Sequence, residues 1–102
     1  MKKLDKKVFE LVMKIPKGNV TTYGEIAKAL GKPKAYRVVG QILRKNKDID
    51  RIPCFKVIRS DGSLGGYVLG KKEKIKRLRR DGIEIKNRKV DLKKYIFRFC
   101  ER

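Results

Sequence analysis

TYGEIAKALGKPKAYRVVGQILR, from Thr22 to Arg44, contains two helical patterns separated by a glycine and a proline, and this stretch decides the fold. Thr22 followed by Glu25 forms a capping box, in which each side chain satisfies a backbone N–H at a helix start. The spacing predicts a short helix from about Tyr23 to Leu30, closed by Gly31, because glycine ends helices without a Cβ clash. The turn Gly31-Lys32-Pro33-Lys34 then leads into a second helix. Ala35, Val38, Val39, Ile42 and Leu43 are its apolar stripe, while Tyr36, Arg37, Gly40, Gln41 and Arg44 face elsewhere. Such a pair, with Arg and Gln on the free face of the second helix, is a helix-turn-helix pattern over residues 22–45. A plain helical hairpin in a small basic domain would read the same way, so charge must separate the two.

Working outward, Leu4, Val8, Leu11, Val12 and Ile15 recur at helical spacing, and Pro16-Lys17-Gly18 stops that first helix. After Asn46 a polar loop runs to Ile52, Pro53-Cys54 is a bend, and Phe55 to Ile58 is a short apolar run. Ser60-Asp61-Gly62-Ser63 is a turn, and Gly65-Gly66-Tyr67 needs backbone freedom. A further helix is expected over Lys71 to Arg80, with Ile75 and Leu78 inward, a solvated basic face outward, and Gly82 as its end. Ile83 and Ile85 alternate like a short extended segment. The tail from Asn87, with Val90, Leu92, Tyr95, Ile96, Phe97 and Phe99, is expected to pack back onto the helices. The expected fold is one domain over 1–102, mainly α with a short β element, as a winged-helix-like helix-turn-helix DNA-binding domain.

Thirty Lys and Arg against eleven Asp and Glu give a formal charge of +19. A self-repelling surface of this kind implies a polyanionic partner, with nucleic acid ahead of an anionic membrane. A general thermophilic excess of Lys would raise acidic residues alongside, which does not happen here.

The chain has no histidine, which excludes a histidine general base, a Ser-His triad and a His-containing zinc site. Two cysteines, Cys54 and Cys100, cannot complete a zinc site or a disulfide framework. No metal and no cofactor are expected. Nothing resembles a signal peptide or an apolar membrane span, so the expected location is cytoplasmic and nucleoid-associated. No dimerisation segment is evident, and a monomer is expected. Cys100, among aromatics near the end, reads as an inert buried thiol.

Several motifs together resemble the DNA-binding domain of the O6-alkylguanine-DNA alkyltransferase family. Ile15-Pro16-Lys17-Gly18-Asn19-Val20-Thr21-Thr22-Tyr23-Gly24-Glu25-Ile26-Ala27 resembles its opening, and Arg37-Val38-Val39-Gly40-Gln41 its recognition helix. Asn46, then Ile52-Pro53-Cys54-Phe55-Lys56-Val57-Ile58, resembles the active-site loop (46–58), usually Pro-Cys-His-Arg-Val. Ser60 to Tyr67 resembles the substrate loop, over about 60–70. The likeness runs from Val8 to Leu92 without a counterpart of the family's N-terminal domain, and in length resembles the single-domain alkyltransferase-like proteins.

The resemblance implies binding to double-stranded DNA through the minor groove and extrusion of an O6-alkylated guanine. It implies DNA contacts from Thr22, Tyr23, Arg37, Gly40, Gln41, Arg44 and Lys56, with Arg37 filling the vacated space and Tyr23 helping to rotate the nucleotide. It implies a base pocket of Tyr23, Val57, Gly65, Gly66 and Tyr67, lined by backbone at Val57 and Gly65, with Asn46 holding the loop and touching the base and Tyr67 touching the O6 region. Cys54 stands where the family's cysteine irreversibly accepts the alkyl group.

Chemistry alone supports extrusion, since a base inside a duplex hides its reactive atom. Arg37 could equally be a phosphate contact and Tyr23 a core aromatic. The activating histidine is replaced by Phe55, the glutamate before Gly82 by Asp81, and the arginine by Lys56. Val68-Leu69-Gly70 follows Tyr67 where small polar residues are usual. An ordinary thiol, with a pKa of about 8.5, is only ~3% thiolate at neutral pH, so the missing relay matters. Two readings stay open: an alkyl acceptor using Cys54, and a non-catalytic lesion sensor that recruits other repair proteins.

Overall fold

Helix α1 (Lys3–Met13) turns Val8, Phe9 and Val12 inward at helical spacing, and Asp5 suits its first turn because a carboxylate complements the N-terminal dipole. Asp5 is buried and lies 3.6 Å from Lys45 Nζ. Past Met13 the chain tightens through Lys14 N–H to Leu11 O and Ile15 N–H to Val12 O, which still buries Ile15. The computed structural model describes residues 3–99, and Cys100 lies outside the described residues.

Two-residue β1 (Thr21–Thr22) runs directly into α2 (Tyr23–Ala29). Thr22 Oγ1 accepts from Glu25 N–H at 3.0 Å, which is one half of the capping box. The Glu25 carboxylate instead lies 3.7 Å from Lys28 Nζ and 3.5 Å from Arg98 Nε. Gly31, at φ 77°, closes the helix. Gly31 N–H donates to Lys28 O and Lys32 N–H to Ala27 O, both at 2.9 Å, which is the paired bonding of a Schellman stop.

Helix α3 (Tyr36–Leu43) packs on α2 and α1 through Val39, Ile42 and Leu43. Val38, expected in that stripe, is 40% exposed. The buried row follows i, i+3, i+4 from Val39, and Val38 is rotated about 100° away from it.

A 3₁₀ turn (Cys54–Lys56) leads into β2 (Val57–Ile58), which pairs in parallel with β1, Thr21 opposite Val57 and Thr22 opposite Ile58. Strand alternation points Val57 and Ile58 to opposite sides, and so divides the core. Val57 joins Val8, Val12, Ile26 and Val39, while Ile58 joins Val20, Leu64, Leu78 and Ile83. Each such aliphatic side chain contributes roughly 1.5–3 kcal/mol when fully buried.

Helix α4 (Lys71–Arg80) buries Leu78 fully and Ile75 partly. The segment around Ile83 and Ile85 becomes an antiparallel hairpin of β3 (Ile85–Lys86) and β4 (Lys89–Val90). Its turn residues Asn87 and Arg88 have φ of 52° and 62°, the doubly positive pattern of a two-residue hairpin. A single helical turn, α5 (Leu92–Tyr95), is capped by Asp91, whose side chain accepts from Lys93 N–H. The tail then pairs with the segment before β1: Val20 N–H donates to Tyr95 O at 2.9 Å and Phe97 N–H to Val20 O at 2.7 Å. The architecture is mainly helical with two small sheets, a helix-turn-helix flanked by a wing.

Candidate nucleic-acid interface and thiol pocket

A cleft of about 800 Å³ opens between the start of α2, the free face of α3, the 3₁₀ turn and the loop of residues 59–68. From α3 come Tyr36, Arg37, Gly40, Gln41 and Arg44, which share one face by their three- and four-residue spacing. Tyr23 and Cys54 form further wall, and Gly65, Gly66, Tyr67 and Val68 complete it. Arg37, Arg44 and Arg59 are all exposed around this cleft, so a chain of charge +19 presents cations at its mouth.

Cys54 is buried, and Asn46 explains its position. Asn46 Nδ2 donates to Ile52 O at 2.9 Å and lies 3.2 Å from Cys54 Sγ, while Asn46 Oδ1 accepts from Asp48 N–H at 2.8 Å. One buried amide therefore ties both ends of the 46–54 loop and offers the sulfur a donor. Burial pushes the Cys54 thiol above its ordinary value, opposed by the Asn46 hydrogen bond and by the charge of Lys74.

Tyr23 is held between two glycines. A Cβ on Gly40 would meet Tyr23 Cε1 at 3.7 Å, and one on Gly65 would meet Tyr23 Oη at 2.9 Å. Gly65 also has φ 71°, so a side chain there is strained as well as crowded. Gly65→Ala should displace the Tyr23 ring into the cleft and cost about 1–2 kcal/mol. Thermal unfolding and Tyr23 ring NMR shifts check this, and an unmoved ring would contradict it. Burial raises the phenols of both Tyr23 and Tyr67. The Tyr67 hydroxyl is shielded from solvent without a hydrogen-bond partner among the described residues, a costly state that an incoming polar ligand would relieve.

Lys56 and Asp81 are occupied elsewhere. Lys56 is buried, its Nζ donating to Pro16 O at 3.0 Å and lying 3.2 Å from Asp81 Oδ2. The same carboxylate oxygen accepts from Gly18 N–H at 2.8 Å. Phe55 packs into the second core cluster with Ile75, Ile85 and Leu92. These contacts fasten the 3₁₀ turn to the loop after α1 and to the end of α4.

Lys74 corrects the expectation of a wholly solvated α4 lysine face. It is fully buried, and its Nζ donates to Val57 O at 2.7 Å, Leu64 O at 2.5 Å and Gly66 O at 3.0 Å. Three ammonium hydrogens thus find three carbonyls, from β2 and from both sides of Gly65. Burial lowers its pKa from 10.5 to about 7, while the Cys54 charge works the other way.

The cleft brings together Cys54, Tyr23, Arg37, Gly40, Gln41, Arg44, Gly65, Gly66 and Tyr67 of the residues expected from sequence. Two expected side-chain contacts are corrected. Thr22 is buried with its hydroxyl capping α2, and Lys56 is buried in its ion pair, so neither side chain is presented to DNA. Val57, expected at the pocket by its backbone, buries its side chain fully and its carbonyl accepts from Lys74 Nζ at 2.7 Å. Arg59 and Lys74 were missed, and Tyr36, read on the free face of α3, was given no role. Arg59 was findable as the cation leaving the apolar run, and Lys74 as the residue one helical turn before Leu78.

A helix-turn-helix presenting a cationic face beside a buried thiol defines an alkyltransferase-type DNA-binding domain. The chain belongs to the family described as 6-O-methylguanine DNA methyltransferase, DNA binding domain, which residues 3–83 match. The bifunctional methyltransferase/endonuclease of Picrophilus torridus is 59% identical over 90 residues, covering 88% of this chain and 30% of that protein. The DNA base-flipping protein of Vibrio parahaemolyticus is 41% identical over 91 residues, covering 86% of this chain and 89% of that one. Atl1 of S. pombe, solved in complex with damaged DNA containing O6-carboxymethylguanine, matches at TM-score 0.87 and 32% identity, over 96% of this chain and 97% of that one. The chain thus spans less than a third of the first of these relatives. Among the described residues no helix is long and apolar enough to cross a membrane.

Proposed function

We propose that this DNA-repair domain takes an O6-alkylguanine rotated out of duplex DNA into its cleft and accepts the alkyl group on Cys54. The observation that carries the reading is the Cys54 thiol on the cleft wall, with Asn46 Nδ2 at 3.2 Å from its sulfur. In this reading α3 lies in the minor groove, whose degenerate pattern suits a sequence-blind search for damage. Gln41 and Arg44 hold the backbone, Arg37 fills the space the base leaves, and Tyr23 and Tyr67 frame the extruded base. The unpaired Tyr67 hydroxyl donates toward O6. An S–C bond forms as the C–O6 bond breaks, and the thiol proton ends on the guanine ring, leaving S-alkylcysteine and guanine. Alignment in the cleft supplies the rate that a general base would otherwise provide.

A lesion sensor that holds the base for other repair proteins is favoured by different observations. Phe55 lies in the core, the Asp81 carboxylate is committed to Lys56 and Gly18, and burial raises the thiol. Intact-protein mass after incubation with duplex carrying one O6-methylguanine separates the two. A gain of one methyl group, mapped to Cys54, is expected. No gain together with tighter binding to the lesion would make the domain a sensor, and no gain without lesion preference would defeat both readings.

A further inference from the structure

We infer that Tyr36 is a second DNA wedge beside Arg37, its ring stacking on a base that stays in the duplex where the guanine has been rotated out. This rests on the DNA-extrusion reading above. Three tyrosines line the cleft, and they divide by exposure. Tyr23 and Tyr67 are partly covered and packed against the first core cluster, so they belong to the wall. Tyr36 is 50% exposed, at the first residue of α3 and the outer edge of the same cleft.

Large exposed apolar side chains are few among the described residues, and two of them stand at this edge. Among the described residues the large ones are Met13, Tyr36, Val38, Val68 and Leu69. Tyr36 and Val68 line the cleft, and Val38 lies on α3 itself. A surface of charge +19 needs no such rings for solubility or for attraction to phosphate. A neutral aromatic at the start of a DNA-facing helix offers what its cationic neighbours lack, a flat face for a base. Gly40 lies one turn further along the same face and carries no side chain, so the helix can approach closely enough for the ring to enter. Extrusion opens the stack, and apolar side chains are the usual means of wedging such a gap. Arg37 supplies charge to that gap, and Tyr36 supplies the stacking surface.

The chain has no tryptophan, so Tyr36→Trp installs a single reporter at an exposed position that the core does not use. Titrating this variant of the chain with duplex carrying O6-methylguanine, followed by both tryptophan emission and labelled-DNA anisotropy, tests the inference. Most of the emission should be quenched as the complex forms. Tyr36→Phe should bind like the unmodified chain, whereas Tyr36→Ala should bind about tenfold more weakly. The salt dependence of Tyr36→Ala binding should match that of the unmodified chain, whereas Arg44→Ala should lower the slope by about one. Unchanged emission in a formed complex, or full affinity in Tyr36→Ala, would overturn the role of Tyr36 alone. Absence of duplex binding by the unmodified chain would remove the DNA-extrusion reading and this inference with it.

Discussion

Lys74→Met should lower the unfolding free energy by about 3 kcal/mol, the expected cost of leaving three buried carbonyls without donors at the low end of the range per group. The methionine keeps the length of the side chain, so the loss reports hydrogen bonding rather than a cavity. Val57, Leu64 and Gly66 supply the carbonyls, and the variant should therefore loosen the loop that carries Gly65 and Tyr67. The pH dependence adds a signature that a packing defect would not give. The folded pKa of Lys74 is about 7, below its ordinary 10.5, so above pH 7 the unfolded chain holds a proton that the folded chain has released. Stability due to this group then rises with pH across that window. The gap between the unmodified chain and Lys74→Met should accordingly widen from pH 7 toward 10, as followed by denaturant unfolding at each pH. Equal stability of the two chains would remove the pinning role, and parallel pH profiles would remove the titration.

The position of Lys74 shows where sequence reading stopped and why. The helix over about Lys71 to Arg80 was legible, because Ile75 and Leu78 mark its face and Gly82 its end. Its basic run was read as solvated, since lysine is rarely buried without partners. The partners here are backbone carbonyls from a loop of irregular shape, and no side-chain pattern announces those. The hairpin of residues 85–90 escaped for a related reason. Its turn uses Asn87 and Arg88 at positive φ without a glycine, and each strand has only two residues. The helix-turn-helix was legible because Gly31 and the Thr22 cap are local signals that need no tertiary context. Which α3 residues face the cleft also followed from helical period, Tyr36 included, because the row opposite Val39, Ile42 and Leu43 is set by the helix itself.

The retained cysteine and the altered residues around it are one physical problem. The positions that the resemblance gives to the relay serve structure here: Phe55 packs against the second core, and Asp81 and Lys56 close an ion pair that also holds the loop after α1. What favours the thiolate is led by the Asn46 hydrogen bond and the charge of Lys74, with a backbone N–H and the charge of Arg77 behind them. Burial outweighs them. As an alkyl acceptor the domain would therefore depend on alignment in the cleft, with Asn46 and Lys74 holding the two loops that meet there.

Cys54→Ser should abolish alkyl uptake from O6-methylguanine duplex while leaving duplex affinity unchanged, because a hydroxyl of similar shape keeps the loop but lacks the nucleophile. The unmodified chain should show why the relay matters through the pH dependence of its transfer rate. Burial holds the thiol above its ordinary value, so across neutral pH the thiolate is a small fraction that grows about tenfold per unit. Single-turnover transfer, measured by peptide mass at Cys54, should climb steeply from acid toward pH 9 without a plateau. Lys74 bends that line. As it loses its proton near pH 7, its attraction for the thiolate fades, and the slope above pH 7 should fall below tenfold per unit. Lys74→Met, if it retains binding, should transfer more slowly at low pH and show the full slope throughout. A plateau beginning below pH 7 would mean that the thiolate is already formed, and that something other than Asn46 and Lys74 has replaced the missing histidine.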